Sequence, residues 1–408
     1  MESFDLCVIG LGYVGLPTAA LAAKAGLTVL GVDISSRRVA DIREGNLDQS
    51  EPGLASLVSG TIASGHLKLS TGLERSCDTF IIAVPTPSRN GLYDSRYVDA
   101  AAQLLTPALR GDELVILEST CPPGSTIKLK ETIVHLGNFG TSNGLAVAHC
   151  PERVLPGNVI EEISGNDRVI GGVDSQSTKR AVDFYSKIST GELWGTDSTT
   201  AEMSKLVENS YRDVNIAFAN EISQIAYEYG VNANDLIQLA NRHPRVNVLS
   251  PSIGVGGHCI CVDPYFLTQA SPHQSALLSA ARRVNDGKTV WVAEQLIERL
   301  REAAPRSVGW FGLAYKPNAS DSRNSPSVRL LRILAEEFPS IQFLVHDPFV
   351  PDLPRDLTCL SNVSTKSIQK VKKQCEFGIL AVEHKQYLSL DVQDCSVPEI
   401  KLVRLGDD

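Results

Sequence analysis

The sequence predicts two Rossmann-like, doubly wound α/β domains joined by a long central helix. Three observations lead to this prediction. A glycine-rich turn follows an apolar run at 6–15, a stretch without glycine or proline occupies 200–229, and a second alternation of apolar runs and helical patterns begins at 308. The predicted domains are an N-terminal α/β domain (1–195), a central helical domain that carries a cysteine-containing loop (196–300) and a C-terminal α/β domain (301–408).

The composition is that of a globular protein, with 43% hydrophobic and 21% charged residues in a chain of 408. A net charge of -9 disfavours general binding to nucleic acids or anionic membranes, since such binding needs a basic surface. No apolar run approaches the roughly 18 residues that cross a bilayer, and the first residues do not form a signal peptide. Nine scattered cysteines are typical of reduced thiols. We therefore expect a cytoplasmic protein without a membrane or nucleic-acid partner.

The first domain is predicted to start with a βαβ unit. An apolar run at 6–9 leads into GLGYVG at 10–15, a helical stretch follows at 16–25, and a β-rich run at 27–32 ends in Asp33. The open sheet that this unit begins is predicted to continue with further elements, namely strands at 80–84, 114–117 and 145–148 and helices at 97–109 and 126–135.

The glycine-rich turn predicts a dinucleotide site. Gly10, Gly12 and Gly15 permit a tight turn and a close approach of backbone N–H groups to a pyrophosphate at a helix N-terminus. Asp33 ends the next strand, where a carboxylate accepts hydrogen bonds from ribose hydroxyls. Because an acidic residue there repels a 2′-phosphate, NAD is favoured over NADP, although Arg38 is near in sequence.

Further cofactor-side candidates lie in the same turn or at strand ends. Tyr13 and Val14 belong to the turn, and Arg38 either stacks on the adenine or faces solvent. Thr86 and Thr120 follow predicted strands at the carboxyl edge of the sheet, where ligands sit in this fold. Either threonine is equally well explained as an ordinary turn hydroxyl.

The stretch at 200–229 predicts one helix of about 45 Å that ends at Gly230. Its apolar residues recur at three- and four-residue steps, as on a helix that buries one face. Such a helix is either a spacer between domains of one chain or a dimer interface. A second helical stretch at 274–300 favours the dimer.

Three polar residues share one face of this helix. Lys205, Asn209 and Arg212 stand at four- and three-residue steps. They contact one ligand or form a solvated salt-bridge face, and the spacing alone does not distinguish these alternatives.

The segment GVGGHCICVDP at 254–264 indicates a nucleophile. Its three glycines are expected to let a ligand approach the thiol of Cys259, and Asp263 supplies a carboxylate within reach. Cys261 lacks the glycine flank and fits a structural thiol better. A zinc site at His258 and the two cysteines is disfavoured because a second ligand pair at suitable spacing is missing. We expect no metal.

The C-terminal domain is predicted from strands at 308–313, 343–346 and 377–381 and a helix at 327–337. Its FGLAYK segment echoes IGLGYV in the first domain, but two of the glycines are lost and Lys316 is gained. With Arg323, and with the NRHPRVN segment at 241–247, this predicts binding of an anionic, phosphate-bearing ligand. The alternative for 241–247 is a plain surface loop.

These motifs resemble those of the UDP-glucose/GDP-mannose dehydrogenase family over essentially the whole chain. Four segments are most like the members that oxidise UDP-N-acetyl-D-mannosamine: CPERVLPG at 150–157, NDRVIGG at 166–172, YRDVNIA at 211–217 and NRHPRVN at 241–247. The resemblance implies a four-electron, NAD-dependent oxidation of the sugar's C6 alcohol to the uronate. UDP-N-acetylglucosamine and UDP-glucose are the alternative substrates.

The resemblance also implies a covalent mechanism. The alcohol is oxidised to an aldehyde, Cys259 adds to it as a thiohemiacetal, a second oxidation gives a thioester, and water releases the acid. Lys205, with Asn209 beside it, stabilises developing oxyanions or shuttles a proton. Asp263 and Glu152 match acidic positions tied to water activation and lysine orientation, and the family threonine near the nicotinamide matches Thr120.

The family's substrate positions carry over to both halves of the chain, at Arg153, Val154, Lys205, Asn209, Arg212, Gly256, Tyr315, Lys316 and Arg323, of which Arg323 also matches a cofactor position. His243 and Arg245 are expected to reach across a homodimer interface into the partner's site. Two departures stand out. Ser252 and Ile253 replace a usual Gly-Pro pair, and Pro156 replaces a glutamate common in UDP-glucose enzymes, which argues against UDP-glucose.

Two other function classes fit the motifs less well. A two-electron hydroxyacid dehydrogenase has no use for Cys259 or for the second α/β domain. A non-catalytic nucleotide-sugar sensor is expected to lack Cys259 or Lys205, and both are present.

Overall fold

The structure is a computed structural model. It describes residues 3–47, 51–73, 76–89, 92–139, 144–154, 157–387 and 402–404. The chain forms two compact units: the first comprises Met1–Glu208 and Tyr265–Pro272, and the second comprises Asn209–Pro264 and His273–Asp408. None of the helices in these ranges combines the length and apolar character that a bilayer crossing requires.

The first unit is built on a large, mainly parallel sheet. Its strands and a small hairpin are β1 (Phe4–Ile9), β2 (Val29–Val32), β3 (Leu67–Ser70), β4 (Cys77–Ile82), β5 (Ser88–Arg89), β6 (Leu92–Tyr93), β7 (Leu114–Leu117), β8 (Ala146–His149), β9 (Arg168–Gly172) and β10 (Leu193–Asp197). The sheet order is β10-β9-β8-β7-β4-β1-β2-β3, and β5 pairs with β6 alone. Since the chain passes from the edge strand β3 back to β4, the strand order reverses between β1 and β4, which is where ligands bind in such sheets.

The described helices are α1 (Gly15–Lys24), α2 (Ser36–Arg43), α3 (Leu54–Ala63), α4 (Arg96–Leu105), α5 (Ser125–Gly137), α6 (Val159–Gly165), α7 (Ser175–Tyr185), α8 (Ser198–Glu228), α9 (Ala233–Ala240), α10 (Asp263–Ala270), α11 (Ala276–Ala303), α12 (Pro326–Glu337) and α13 (Ile368–Gln374). Short 3-10 turns occur at Thr106–Ala108 and Lys385–Tyr387. Apolar clusters cover both faces of the large sheet, and β4 and β7 are almost continuously buried, as expected for strands between two helical layers.

The second unit has a five-stranded parallel sheet. Its strands are β11 (Ser307–Phe311), β12 (Gln342–His346), β13 (Val363–Thr365), β14 (Phe377–Leu380) and β15 (Leu402–Arg404), in the order β13-β12-β11-β14-β15. Its core is centred on the buried Trp310, Phe343 and Ile379. The order again reverses, here between β11 and β14, so this sheet is also doubly wound.

The fold class predicted from the sequence is confirmed. The stretch at 200–229 is a single helix, α8, which contributes residues to both units, and Gly230 follows it with a φ of +65°. One feature of the large sheet was not predicted: β9 runs antiparallel to β8. The Pro156 substitution lies outside the described residues.

The two sheets repeat one local design. Gly10 after β1 has a φ of +94°, and Gly312 after β11 has a φ of +96°. The backbone N–H of Leu313 donates to Asp347 at 2.5 Å, just as that of Leu11 donates to Asp33 at 3.0 Å. The sequence echo between the two halves is therefore also a structural repeat.

Candidate functional site

The three glycines of the turn between β1 and α1 are required for different reasons. A Cβ on Gly10 would lie 2.6 Å from the carbonyl oxygen of Ala83, and one on Gly15 would lie 1.9 Å from that of Gly10. Both glycines are therefore needed by the fold itself. A Cβ on Gly12 meets none of the residues that the structure describes within 4 Å. The open space over Gly12, at the N-terminus of α1, fits the pyrophosphate of a dinucleotide.

Asp33 and Arg38 both contact this turn. One carboxylate oxygen of Asp33 accepts from the N–H of Leu11 and the other from that of Ser35, at 3.0 and 2.9 Å. The Nε of Arg38 donates to the carbonyl oxygen of Leu11 at 2.9 Å. Neither role offered for Arg38 from the sequence includes this contact, which ties the guanidinium to the glycine turn.

Tyr13 and Glu51 connect the turn to the chain after β8. The Tyr13 hydroxyl donates to the buried Glu51 carboxylate at 2.8 Å, and the same carboxylate accepts from the N–H groups of Gly157 and Val159. Sequence reasoning missed Glu51, because its partners are distant in the chain.

Thr86 and Thr120 follow β4 and β7, which are neighbours in the sheet. Both are half-buried. Between them, the hydroxyl of Ser119 donates to the carbonyl oxygen of Val84 at 2.8 Å and so holds the two strand ends together. Both threonines thus lie at the carboxyl edge of the sheet, after β4, which borders the reversal point, and after its neighbour β7.

Glu152, in the segment that follows β8, belongs to a buried polar cluster. Its Oε1 accepts from the N–H of Arg153 at 2.6 Å, and its Oε2 is 4.0 Å from a guanidinium nitrogen of Arg168. Arg168 is itself buried, with its guanidinium carbon 4.8 Å from the ring centroid of Tyr185. In the same cluster, burial raises the pKa of Glu118 to about 7. Neither Arg168, which lies in the NDRVIGG segment, nor Glu118 was a candidate site residue from the sequence.

Arg153 is held by an ion pair with α8. Its Nη2 lies 2.7 Å and its Nε 3.1 Å from the carboxylate of Glu208. This places the guanidinium of one predicted substrate residue beside the helix that carries Lys205. Val154, the next predicted substrate residue, is half-buried.

The cysteine-containing loop belongs to the second unit, and its glycines serve packing within the chain. A Cβ on Gly254 would lie 2.6 Å from Thr289 Oγ1, and one on Gly257 would lie 2.9 Å from the ring of Tyr315. A Cβ on Gly256 would meet Pro326 at 2.6 Å. Packing within the chain therefore explains each of these glycines, and the expectation that they let a ligand approach the thiol stays a prediction.

The loop is anchored at its start by Ser252 and Ile253, the pair that departs from the family pattern. The N–H of Ser252 donates to Asn220 Oδ1 at 2.7 Å, and the carbonyl oxygen of Ile253 accepts from Thr289 Oγ1 at 2.7 Å. Ser252 and Ile253, which stand where the family usually has Gly-Pro, thus attach the loop to helices α8 and α11.

Cys259 begins a tight turn that leads into α10. Its carbonyl oxygen accepts from the N–H groups of Val262 and Asp263 at 2.9 and 2.8 Å. The carboxylate of Asp263 accepts in turn from the amide of Asn209 at 2.5 Å. The structure thus brings together three predicted catalytic residues, Asn209, Cys259 and Asp263. Asn209 and Asp263 are buried, and Cys259 is half-buried.

His258 lies in a charged cluster beside the nucleophile candidate. Its Nδ1 is 3.5 Å from Asp321 and 3.2 Å from a guanidinium nitrogen of Arg323, which itself forms an ion pair with Asp321. Hydrogen bonding to Asp321 and then to Cys259 raises the pKa of His258 to about 9, against the effects of burial and of Arg323. An imidazolium is therefore present next to Cys259 at neutral pH.

Cys261 is bonded to the loop backbone. Its Sγ donates to the carbonyl oxygen of Gly257 at 3.1 Å, and burial raises its pKa to about 11. This protonated thiol fits the structural role predicted for it. Within the described ranges, no group of three or more histidine, cysteine, aspartate or glutamate side chains is arranged to hold a metal.

The remaining cationic candidates of the second unit are at or near the surface. His243 and Arg245 lie on an exposed turn after α9 that Asn241 closes by two hydrogen bonds to Val248. Arg212 and Arg323 are exposed, and the Lys316 ammonium is 5.8 Å from the ring centroid of Tyr315.

Comparison with known proteins gives matches over nearly the whole chain. Models of the UDP-glucose/GDP-mannose dehydrogenase family match in three parts: the NAD binding domain at 4–189, the central domain at 199–287 and the UDP binding domain at 309–400. A UDP-N-acetyl-D-mannosamine dehydrogenase from Escherichia coli (strain K12) is 42% identical over 403 residues, covering 95% of each chain.

Solved structures show the same similarity. A UDP-D-ManNAc dehydrogenase from Pyrococcus horikoshii superposes with a TM-score of 0.89 at 33% identity, covering 100% of this chain and 99% of the other. A UDP-N-acetyl-mannosamine dehydrogenase from Staphylococcus aureus gives a TM-score of 0.87 at 34% identity, with coverage of 100% and 99%.

Proposed function

Because the chain belongs to the UDP-glucose/GDP-mannose dehydrogenase family, we propose that it is an NAD-dependent UDP-N-acetyl-D-mannosamine 6-dehydrogenase. The C6 alcohol of the sugar is oxidised to the carboxylate of UDP-N-acetyl-D-mannosaminuronate, with loss of four electrons. The relatives named above, which match the chain from end to end, support this substrate.

One observation carries the covalent part of the proposal: Cys259 lies in a turn that Asp263 closes, and Asp263 is bonded to Asn209. A dehydrogenase that stops at the aldehyde needs no nucleophile. An alcohol that goes on to the acid needs a group that adds to the aldehyde and later leaves, and a thiolate does both.

Each of the proposed catalytic residues has its own role in this reaction. Cys259 sulfur bonds to C6 of the aldehyde, giving a thiohemiacetal whose oxidation leaves a thioester. Water then attacks C6 and the carbon–sulfur bond breaks. The acid leaves and the Cys259 thiol is regenerated. Lys205 and Asn209 stabilise the negative charge on the substrate oxygen, while Asp263 and Glu152 orient the lysine and the attacking water.

The cofactor site fits the turn after β1. Gly12 leaves the space that a pyrophosphate needs, and Asp33 lies at the end of the next strand. NAD⁺ bound there supplies the two-electron oxidant, so two molecules are consumed per sugar. We assign the rest of the cofactor surface to Tyr13, Val14, Arg38, Thr86, Thr120 and Arg323.

The UDP sugar is assigned mainly to the second unit. Arg212, Lys316 and Arg323 supply positive charge for the diphosphate in a chain with a net charge of -9. Tyr315 packs on Gly257 and places its ring against the loop that carries Gly256 and Cys259. Arg153 and Val154, which belong to the first unit, are also assigned to the substrate.

The test is the amount of NADH released per sugar consumed. Parallel reactions contain NAD⁺ and limiting UDP-N-acetylmannosamine, UDP-N-acetylglucosamine or UDP-glucose. Two NADH with the mannosamine sugar alone is the expected result. If another sugar releases two NADH, that sugar is the substrate instead. Release of one NADH with any of the sugars contradicts the thioester mechanism.

We further propose a homodimer formed through α8. Tyr211, Phe218 and Ile225 recur at seven-residue steps on one face of this helix and are 69%, 54% and 45% exposed. Phe218→Glu is expected to give a monomer by light scattering, whereas Ile127→Glu, on α5 and 44% exposed, should leave the dimer intact. A monomeric wild-type protein contradicts the proposal.

Sharing of residues between partner sites is testable by complementation. If Arg245 and His243 act in the partner's site, subunits with Cys259→Ser and subunits with Arg245→Ala are each inactive alone. Mixed dimers then contain one complete site, so random mixing restores about a quarter of the wild-type activity. No recovery on mixing places Arg245 in its own subunit's site or outside the site.

We propose the functional regions 1–195 for NAD, 196–300 for dimerisation and the nucleophile, and 301–408 for the UDP sugar. The three family-model ranges support this division. We propose the cytoplasm as the compartment, supported by the fact that none of the eight described cysteines forms a disulfide.

A further inference from the structure

We propose that Glu202 is a positioning residue for Lys205: it fastens the second turn of α8 to the loop between β7 and α5, and thereby sets the place of the lysine. This deepens the proposed function, which assigns the oxyanion and proton role to Lys205. Glu202 was not a candidate from the sequence, where it reads as one more helix carboxylate.

Glu202 is buried, with 1% of its surface exposed, and its described hydrogen bonds join it to one loop. Its carboxylate accepts from the N–H of Gly124 at 2.6 Å, the N–H of Thr126 at 2.7 Å and the hydroxyl of Thr126 at 2.6 Å. These donors form the N-terminus of α5, where a negative charge is favoured by the helix dipole. The same loop begins at Thr120, a proposed cofactor-side residue.

Two further contacts fix the start of α8. Asp197, at the end of β10, accepts from the N–H and hydroxyl of Thr200 at 2.9 and 2.6 Å, so the helix starts at a defined residue. Six residues beyond Glu202, Glu208 pairs with Arg153. Lys205 therefore lies midway between two carboxylates that bind the chain after β7 and the chain after β8.

The side chain of Lys205 has no hydrogen bond or ion pair with any described residue of its own unit. Glu202 and Glu208 therefore hold the stretch of helix backbone from which the lysine side chain extends. Burial raises the pKa of Glu202, and the hydrogen bonds from Thr126 and Gly124 offset part of that effect. Three donors in a buried site need the ionised carboxylate, which a glutamine amide replaces poorly.

The decisive experiment is a double-mutant cycle with Glu202→Gln and Lys205→Ala. If Glu202 acts through Lys205, Glu202→Gln lowers kcat by about 10- to 100-fold while both KM values change less than about 3-fold. The double variant is then no slower than Lys205→Ala alone, because the lysine that was being positioned is gone. Losses that multiply in the double variant overturn the proposal.

Glu113→Gln is a matched control. Glu113 is equally buried and accepts from the N–H groups of Arg110, Gly111 and Asp112, but it lies at the amino end of β7. It should lower the melting temperature as Glu202→Gln does, without lowering kcat. An equal loss of kcat in both variants overturns the proposal, since it marks a general effect on folding.

A second readout needs no activity. Glu202→Gln should speed amide hydrogen exchange in peptides covering 198–208, whereas Glu113→Gln should not. If Glu202→Gln does not fold, the milder Thr126→Val, which removes one donor, should change kcat and exchange in the same direction. Wild-type protein without turnover on any UDP sugar contradicts the proposed function, while unchanged exchange at 198–208 contradicts the positioning role.

Discussion

The side-chain amide of Asn209 donates a hydrogen bond of 2.5 Å to the carboxylate of Asp263, although the two residues are 54 positions apart. One comes from the long helix α8, and the other starts the short helix α10, directly after the turn that contains Cys259. The bond therefore connects the helix to the turn that contains Cys259, the proposed nucleophile. Both partners are buried, so the contact is little screened by water.

Asn209→Ala removes one donor from the buried carboxylate of Asp263. The expected loss is about 1–3 kcal/mol of unfolding free energy, because burial withholds water as a replacement donor. Urea unfolding of Asn209→Ala, Asp263→Ala and the double variant measures the coupling. A coupling near zero would contradict the contact, and a value of about 1 kcal/mol or more is expected.

The sequence predicted the parts of the fold that local patterns encode. The turn after β1 and the helix α8 follow from glycine spacing and from a long stretch without helix breakers. The contacts of Glu202 and Arg168 could not be predicted from such local patterns, because their partners are distant in the chain. The sequence also did not predict that Tyr315, rather than a ligand, fills the space beside Gly257. Glycine identity reports that space is needed but not what occupies it.

Gly12→Ala should weaken NAD binding and leave the fold intact. A Cβ at this position meets no atom of the described residues within 4 Å, so it can displace a ligand without disturbing that part of the chain. We expect at least a 10-fold rise in the Kd for NAD⁺ by calorimetry. The melting temperature should remain close to that of the wild type.

Gly10→Ala is the contrasting variant. Its Cβ would lie 2.6 Å from a backbone oxygen, and the φ of +94° is strained for alanine, so the protein itself should lose several kcal/mol of stability. If Gly12→Ala instead destabilises the protein as much as Gly10→Ala does, the space over Gly12 is not a ligand site.

Cys259→Ser should abolish formation of the acid while NAD binding remains. The serine hydroxyl is a far poorer nucleophile than a thiolate, so no acyl intermediate accumulates. Cys261→Ser is the control, because its thiol donates to the carbonyl oxygen of Gly257 and accepts from the amide of Asn324, and a hydroxyl can do both. Acid production at the wild-type rate by Cys259→Ser would remove this residue from the mechanism.

His258 should stay protonated well above neutral pH. Its pKa is raised from 6.5 to about 9, first by hydrogen bonding to Asp321 and next by that to Cys259. Because the folded-state pKa lies above the unfolded one, the resulting stabilisation is complete below pH 6.5 and is lost as the pH rises to 9. The difference in melting temperature between wild type and His258→Gln should therefore shrink over that range.

Two variants test the cause of this shift in opposite directions. Asp321→Asn removes the main hydrogen-bond acceptor and should lower the pKa of His258 toward 6.5. Arg323→Gln removes a neighbouring positive charge, whose effect is to lower that pKa, and leaves Asp321 to His258 alone, so the pKa should rise. NMR titration of histidine-labelled protein, with the His258→Gln variant to assign the signal, measures both. A wild-type midpoint near 6.5, unchanged in Asp321→Asn, would show that the ion pair does not hold the imidazolium beside Cys259.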